Sequence, residues 1–265
     1  MLSESYLNRF GGIGRLYGQA ALENFANAHV VIIGIGGVGT WVAESLARSG
    51  IGQITLIDLD DICVTNTNRQ SHAIASTIGQ SKVEVMAQRI IEINPECVVN
   101  EVEDFITVDN LAEHLGSKAS PLAIDYVVDC IDAVKQKAAL IAWCKRNKLK
   151  IVTVGGAGGQ TDPTQIQLTD LAKTYQDPLL AKVRNILRRE YNFSKNVARR
   201  FAVDAVFSTQ QLVYPQNDGS VCSTKNSADG SMRMDCASGF GAVTMVTGTF
   251  GFIAASRVLA KLAAK

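Results

Sequence analysis

The sequence has little proline, few aromatic residues and no strong charge of either sign. Only 5 of its 265 residues are proline and 6% are aromatic, while 26 Lys and Arg face 25 Asp and Glu. A low charge content together with 47% hydrophobic residues excludes an intrinsically disordered chain. The net charge of +1 creates no overall field that would identify a partner. We therefore expect one globular domain with a large core, since no linker divides the chain.

Two patterns that would indicate metal or secretion are also absent. None of the 6 cysteines is spaced as Cys-x-x-Cys, which excludes a zinc knuckle and a thioredoxin-like redox motif. The N-terminus lacks a basic segment followed by an apolar core, which argues against a secretory signal. We expect a cytoplasmic protein with free thiols and no zinc.

One apolar stretch competes with this interpretation. Residues 236–256 carry no charge over a length that can cross a bilayer. The same stretch is rich in Gly, Thr and Ser, which also suit a helix that packs closely against other elements. A buried or dimer-interface helix is therefore the favoured prediction, and a membrane span is the alternative.

Strand and helix patterns alternate in the first half of the chain. Short apolar runs predict strands, and apolar positions at helical spacing predict the helices between them. The predicted strands are 29–33, 54–58, 98–102, 126–130 and 151–154, with helices at 40–50, 81–93 and 135–147. Beyond these we predict strands at 164–170 and 206–215, an amphipathic helix at 177–191 and a glycine-rich final helix. This order predicts an α/β fold, Rossmann-like and doubly wound, with a mainly parallel sheet and an additional C-terminal strand and helix region.

A glycine loop joins the first predicted strand to the first predicted helix. Gly34, Gly36, Gly37 and Gly39 allow backbone N–H groups to approach a phosphate, and the N-terminus of the following helix adds partial positive charge. Asp58, at the end of the second strand, is then placed to receive ribose hydroxyls. The order of strand, loop, helix, strand and acid predicts a nucleotide site. A tight turn that serves packing alone is the alternative.

Positive charge near this loop indicates which nucleotide chemistry is involved. A nicotinamide enzyme and an adenylating enzyme can share the glycine loop, but nucleotidyl transfer accumulates negative charge on the α-phosphate and on the leaving pyrophosphate. Arg69 and Lys82 follow the second strand and can bring positive charge to the same side of the sheet. Asp129 and Asp132 lie at the end of the fourth strand, where a carboxylate can hold Mg²⁺. Helix capping is the alternative role for Asp132.

These motifs resemble the ATP site of the adenylating enzymes that include ubiquitin-activating enzymes and the bacterial enzymes of molybdopterin and thiamin biosynthesis. The matching residues are Asp58, Asn68-Arg69-Gln70, Lys82 and Asp129-x-x-Asp132. The resemblance implies a homodimer that uses ATP and Mg²⁺ to activate a carboxylate as an acyl-adenylate. It implies that Asp58 meets the ribose, that Asn68, Arg69 and Lys82 contact phosphates, and that Asp132 holds the metal. Whether a monovalent cation is also required is left open.

The chain departs from the molybdopterin and thiamin branches because it lacks their paired Cys-x-x-Cys zinc site. It is more similar to the tRNA threonylcarbamoyladenosine dehydratases, through residues 9–18, 155–164, 169–174 and 233–241. That branch implies ATP-dependent cyclisation of a modified adenosine beside the anticodon, through adenylation of its carboxylate. Adenylation of the C-terminus of a ubiquitin-like sulfur carrier is the alternative, and a nicotinamide-dependent oxidoreductase is the third class.

The resemblance also implies roles for residues outside the ATP motifs. An N-terminal arginine, Arg15 rather than Arg9, is expected to reach the ATP of the other subunit. Cys236 is a candidate acceptor for sulfur or an acyl group, with a cysteine desulfurase as the partner, although cyclisation itself requires no thiol.

Basic side chains outnumber acidic ones between residues 170 and 204, and tRNA is the implied partner of this segment. The candidate tRNA-binding residues are Arg188, Arg189, Arg199 and Arg200. A solvated helix face is the alternative interpretation. The expected organisation is one domain over 1–265, with a helical arm (1–28), a nucleotide-binding core (29–155) and a tRNA and dimer region (156–265).

Overall fold

The computed structural model describes residues 2–216, 218–223 and 240–264. Two helices, α1 (Glu4–Tyr17) and α2 (Gln19–Ala26), precede the first strand. The alternating core then consists of β1 (His29–Ile33), α3 (Gly39–Arg48), β2 (Gln53–Ile57), α4 (Lys82–Ile93), β3 (Val98–Val102), α5 (Leu111–Leu115), β4 (Tyr126–Asp129), α6 (Val134–Asn147) and β5 (Ile151–Val154). It is followed by β6 (Ile166–Asp170), α7 (Pro178–Glu190), β7 (Asp204–Ser208), β8 (Tyr214–Pro215), β9 (Val221–Cys222) and α8 (Thr244–Ala263).

The main sheet has the strand order β3-β2-β1-β4-β5-β7-β6. Neighbouring strands are parallel except β6, which pairs antiparallel with β7. This confirms the predicted Rossmann-like α/β fold with a mainly parallel sheet. Strands β2 and β3 lie on one side of β1, and β4 and β5 lie on the other. The connections that follow β1 and β4 therefore run in opposite directions. Open α/β sheets bind their ligands in the crevice that forms there, at the carboxyl ends of the strands.

Helices cover both faces of the sheet, which explains why its central strands are apolar throughout. In β1, Val30 and Ile32 join the core cluster under α3, α4 and α8, whereas Val31 and Ile33 join the cluster under α6 and α7. Successive side chains of a strand point to opposite faces, so a strand buried on both faces has no polar alternation. The two cores hold the carboxyl ends of the strands in a fixed arrangement.

The predicted strand 206–215 is wrong in its second half. β7 ends at Ser208, whose Oγ accepts a hydrogen bond from the backbone N–H of Gln210 over 3.1 Å. The Gln210 side chain then accepts hydrogen bonds from the backbone N–H groups of Thr161 and Asp162, both over 2.9 Å. These contacts turn the chain away from the sheet, and the residues beyond form the separate two-stranded sheet β8-β9.

Helix α8 contains most of the described part of the apolar stretch, from Thr244 onward. Among the described residues it is the one helix long and apolar enough to cross a membrane, and 56% of its apolar window is buried within the fold. Gly251 lies so close to α3 that a Cβ atom there would be 2.7 Å from the Cβ of Trp41. At its C-terminal half, Arg257 forms an ion pair with Asp204 at 2.7 Å. This packing favours a core helix over a membrane span. Residues 236–239 lie outside the described residues.

Candidate functional site

A cavity of about 960 Å³ opens at the carboxyl ends of the strands. The loops after β1, β2, β4 and β5 all contribute to its walls, which is where the strand order places a ligand site. The sequence-predicted residues that line it are Gly34, Gly36, Gly37, Asp58, Asn68, Arg69, Lys82 and Asp132. The fold therefore brings together residues that are far apart in the chain.

The glycine loop passes very close to the end of β4. Gly34 has a φ of +88°, and a Cβ atom there would lie 3.1 Å from the carbonyl carbon of Cys130. Gly39 differs from the other predicted loop glycines because it does not line the cavity. A Cβ atom at Gly39 would lie 1.8 Å from the carbonyl oxygen of Gly34. Gly39 thus allows helix α3 to start directly against the loop, which is a packing role rather than a ligand contact.

Asp58 is anchored to the glycine loop. Its Oδ2 accepts a hydrogen bond from the backbone N–H of Ile35 over 2.6 Å, and its Oδ1 accepts one from Asp60 over 2.9 Å. The side chain is only 9% exposed. These bonds orient the carboxylate toward the cavity, and each oxygen retains a second lone pair that can accept a ribose hydroxyl.

Lys82 begins helix α4 and is held by two carboxylates. Its Nζ lies 2.7 Å from Asp60 Oδ2 and 3.6 Å from Asp58 Oδ1, and its side chain is 7% exposed. The ammonium group is thus buried in the cavity wall, where it can interact with an anionic ligand group. The ion pairs keep it there.

Arg69 is positioned by its neighbours. Its Nη1 donates hydrogen bonds to the Thr65 carbonyl over 2.9 Å and to Asn68 Oδ1 over 3.0 Å. Asn68 in turn donates from Nδ2 to the Ala242 carbonyl over 2.8 Å, just before α8. Trp41 Nε1 donates to the Arg69 carbonyl over 3.0 Å. Asn68 therefore orients the guanidinium and links the cavity to the start of α8.

Only one acid of the Asp129-x-x-Asp132 motif faces the cavity. Asp132 is exposed on the cavity wall, whereas Asp129 is 0% exposed and pairs with the equally buried Lys137 at 3.0 Å. Thr153 Oγ donates a further hydrogen bond to Asp129 over 2.6 Å. Burial raises the pKa of the Asp129 carboxyl. The expectation that Asp129 belongs to the nucleotide site is therefore corrected, because its strand position directs the side chain into the core.

The carboxylate of Asp132 suits Mg²⁺ better than it suits a metal ion whose ligands all come from the protein. Within the ranges 2–216, 218–223 and 240–264, no three His, Cys, Asp or Glu side chains group as metal ligands. A single exposed carboxylate beside a phosphate site is the usual arrangement for Mg²⁺, which keeps several waters and takes further oxygen ligands from phosphates. Asp132 is the residue that fits this role.

His72 is a residue that the sequence did not identify. It is 2% exposed, and its Nε2 lies 3.1 Å from the carbonyl oxygen of Ile35 in the glycine loop. Burial lowers the pKa of His72 to about 4. The imidazole is therefore neutral at physiological pH. Its Nε2–H donates a hydrogen bond to the Ile35 carbonyl oxygen and stabilises the glycine loop. The sequence offered no signal for this because the three histidines have no metal-ligand spacing.

We expect the buried His72 to make folding stability depend on pH. The folded pKa lies below the unfolded value of 6.5, so the stabilisation is present above pH 6.5 and is lost as the pH falls toward 4. The loss is on the order of 3 kcal/mol for a shift of this size. Urea unfolding at several pH values checks this, and His72→Gln should flatten the profile over that interval. Identical slopes for the two proteins would contradict the assignment.

The remaining predicted residues that the structure describes lie away from the cavity. Arg15 is exposed at the end of α1 and is not among the lining residues. The Arg188 guanidinium lies 5.3 Å from the centre of the Phe201 ring, and Arg200 lies 3.7 Å from the buried Asp170. A second, smaller cavity of about 350 Å³ is lined by Arg200 together with Lys145 and Arg146. Cys236 lies outside the described residues.

Comparison with known proteins gives the family. The model described as "ThiF family" matches residues 12–265. The chain belongs to the ThiF family. It is 59% identical over 265 residues to the tRNA threonylcarbamoyladenosine dehydratase of Escherichia coli (strain K12), covering 100% of this chain and 97% of that protein. The protein of the same name from Haemophilus influenzae is 59% identical over 263 residues, covering 99% and 96%.

Solved structures agree with this assignment. The structure titled "TcdA (CsdL)" matches with a TM-score of 0.90 and 55% identity, covering 100% of this chain and 97% of that one. The E. coli tRNA N6-threonylcarbamoyladenosine dehydratase in complex with ATP matches with a TM-score of 0.87 and 53% identity, with the same coverage. By contrast, the E. coli molybdopterin-synthase adenylyltransferase is 32% identical over 136 residues, or 51% of each chain. The similarity to the dehydratases thus extends over the whole chain, whereas the similarity to the adenylyltransferase covers about half of it.

Proposed function

We propose that this chain is an ATP-dependent enzyme that dehydrates threonylcarbamoyladenosine in tRNA, beside the anticodon, to its cyclic form. The observation that carries the proposal is the full-length similarity to the E. coli dehydratase, which extends to 100% of this chain. The shared cavity of Asp58, Arg69, Lys82 and Asp132 supports it, because these residues suit a nucleotide and the charge of its phosphates. Adenylation of a sulfur-carrier protein is not favoured, since the adenylyltransferase matches over only half of the chain.

The reaction follows from the poor electrophilicity of a free carboxylate, whose leaving group would be oxide. A carboxylate oxygen of the threonylcarbamoyl group attacks the α-phosphorus of ATP, and the bond to pyrophosphate breaks. A ureido atom of the same substrate then attacks the activated carbonyl carbon, the ureido group gives up one N–H proton, and AMP leaves with the original carboxylate oxygen. The second step is effectively unimolecular because both groups belong to one substrate, so it needs no enzymic nucleophile.

The cavity residues take distinct roles in this proposal. Asp58 binds the ribose hydroxyls, and the loop of Gly34, Gly36 and Gly37 lets backbone N–H groups approach the phosphates. Lys82 and Arg69 stabilise the negative charge that develops on the α-phosphate and on pyrophosphate. Asp132 is the residue that would hold Mg²⁺, which would supply positive charge to offset that of the phosphates.

The test uses the purified chain, ATP and tRNA that carries threonylcarbamoyladenosine. We expect mass spectrometry of the digested nucleosides to show loss of one water from the modified adenosine, with release of pyrophosphate. Matched tRNA without the threonylcarbamoyl group is the control and should release none. Release of pyrophosphate with a Gly-Gly-tailed carrier protein but not with the modified tRNA would overturn the proposal.

We further propose that the enzyme is a cytoplasmic homodimer in which Arg15 reaches the partner's ATP. Exposed apolar side chains support a dimer: Leu16 is 80% exposed on α1, and Met245 and Phe252 on α8 are 60% and 51% exposed. Arg15 lies outside its own cavity, as a residue acting in trans would. In a mixed dimer, Arg15→Ala in one subunit should inactivate only the ATP site of the other. Inactivation of its own site would contradict this.

The cysteine desulfurase partner and the role of Cys236 remain predictions.

We expect the arginines at the end of α7 and in the following loop to contribute to tRNA affinity. The substitution should be glutamine, because a carboxylate at Arg200 would face the buried Asp170. With Arg188, Arg189, Arg199 and Arg200 replaced, tRNA affinity should fall about tenfold or more, and the salt dependence should become shallower by roughly 0.7–0.9 per lost phosphate contact. Filter binding at several salt concentrations measures both, with Arg48→Gln on α3 as the control. Unchanged tRNA affinity would remove this surface from the tRNA interface.

A further inference from the structure

The cavity extends well beyond the part that the nucleotide motifs occupy. Asp58 follows β2, while Gly155, Gly156, Ala157 and Gly158 follow β5. In the strand order β2-β1-β4-β5 these two ends are three spacings apart, or about 14 Å at roughly 4.8 Å per strand. The glycine loop and Asp132 lie between them, after β1 and β4. The cavity therefore continues past the glycine loop and Asp132 to the end of β5, on the side opposite Asp58.

The walls at the β5 end are apolar and aromatic. Phe240, Leu212 and Pro215 line the cavity there, together with Leu179 from α7. The Phe240 ring lies 5.1 Å from the ring of Tyr214, centre to centre. No motif of the nucleotide site accounts for these residues, and an aromatic ring that is only partly covered is a surface on which a planar group can stack.

Phe240 is seated in a pocket that only glycine permits. Gly159 has a φ of +72°, and a Cβ atom there would lie 2.6 Å from Phe240 Cδ1. A Cβ atom at Gly158 would lie 3.0 Å from Phe240 Cβ. The backbone N–H of Gly159 donates to the Gly241 carbonyl over 2.8 Å, and Val213 donates to the Gly159 carbonyl over 2.9 Å. The ring is thus held from behind by the loop after β5.

We propose that the β5 end of the cavity is a nucleoside subsite, in which the base of the modified adenosine stacks on Phe240. This inference rests on the proposed function and names the group that recognises the substrate base. A modified base in a tRNA loop can be unstacked and held against an aromatic side chain, which is how proteins commonly read single-stranded RNA. A base bound there lies beside the region of Asp132 and Arg69, so its threonylcarbamoyl arm can present the carboxylate to the α-phosphate.

The strand topology supports a nucleoside rather than an extended peptide at this end. A doubly wound sheet provides two mononucleotide-binding halves on either side of the point where the strand order reverses. Here ATP takes the half over β1 and β2, and the substrate adenosine takes the half over β4 and β5. The cavity volume of about 960 Å³ lies near the upper end of ordinary ligand sites, which agrees with two ligands rather than one.

The test compares Phe240→Ala, Phe240→Leu and Phe240→Trp in the full-length protein. We expect the KM for threonylcarbamoyl tRNA to rise about tenfold or more in the Ala and Leu variants and to stay within about threefold of wild type in the Trp variant, which can still stack. ATP affinity and the thermal midpoint should remain unchanged. Tyr175→Ala, at an exposed aromatic residue outside the cavity, is the control.

Free N6-threonylcarbamoyladenosine nucleoside gives a second readout. It should compete with the tRNA substrate in the wild type and lose most of that competition in Phe240→Leu. A wild-type KM in both the Ala and Leu variants would overturn the subsite while leaving the proposed function intact. A wild-type protein that fails to cyclise the tRNA would instead overturn the proposed function.

Discussion

Replacing Lys82 by methionine is expected to lower the rate of pyrophosphate release by about 10²- to 10³-fold, the size of effect seen when one preorganised donor to a developing negative charge is removed. The physical reason is the placement of its Nζ, which two carboxylates hold at the cavity wall with little freedom to leave. Methionine keeps most of the side-chain length and removes the charge. Steady-state pyrophosphate release with the modified tRNA measures the effect.

Lys135→Met is the matched control for this experiment. Lys135 is an exposed lysine in the first turn of α6, close to the same edge of the sheet but not among the residues that line the cavity. We expect its rate to stay within about twofold of wild type, since surface substitutions away from a site have small effects. A Lys82→Met rate close to that of the control would show that Lys82 serves only to pair with Asp58 and Asp60.

Replacing Lys137 by methionine is expected to destabilise the fold by about 3–5 kcal/mol. Lys137 and Asp129 are both fully buried, and the Lys137 ammonium also donates a hydrogen bond to the Ile131 carbonyl over 2.8 Å. Removing the lysine leaves a carboxylate in the core with only Thr153 and a backbone N–H as donors. Urea unfolding, with the slope of the transition checked for constancy, measures the change.

A double variant separates the stability contributed by the Lys137–Asp129 ion pair from the cost of leaving one buried charge unpaired. Lys137→Met combined with Asp129→Leu removes both charges, and buried ion pairs replaced by apolar residues of similar volume are often neutral in stability. We therefore expect the double variant to recover most of the stability lost in Lys137→Met. Lys135→Met, which removes an exposed lysine from the same helix, should change stability by less than about 0.5 kcal/mol. A double variant as unstable as Lys137→Met would mean that the pair contributes more than charge compensation.

The elements predicted most accurately were those whose local sequence has one physical interpretation. The strands 29–33, 98–102 and 151–154 match the observed strands at both ends. The first and last are short apolar runs bounded by changes in pattern, and a strand buried on both faces requires such a run. The strand predicted at 206–215 failed because its end depends on Gln210, whose side chain bonds to a loop that is distant in sequence.

The candidate site shows the same division. Glycines before a helix, an acid after the next strand and basic residues beyond it are local signals, and they placed Asp58, Arg69 and Lys82 at one cavity. Asp129 was placed there as well because it lies with Asp132 at the carboxyl end of the fourth strand, where open α/β sheets bind ligands. Lys137 and His72 had no local signal, since a lysine in a helix is usually exposed and a lone histidine has no preferred role.

The sequence by itself determined the fold class, the glycine loop and the chemical character of the nucleotide site, because these depend on residue spacing along single strands, turns and helices. Only the tertiary structure decided which acid faces the cavity, that Gly39 serves packing, and that Phe240 lines the same cavity as Asp58. Those outcomes depend on contacts between segments distant in the chain. The composition, with its net charge of +1, does not indicate them.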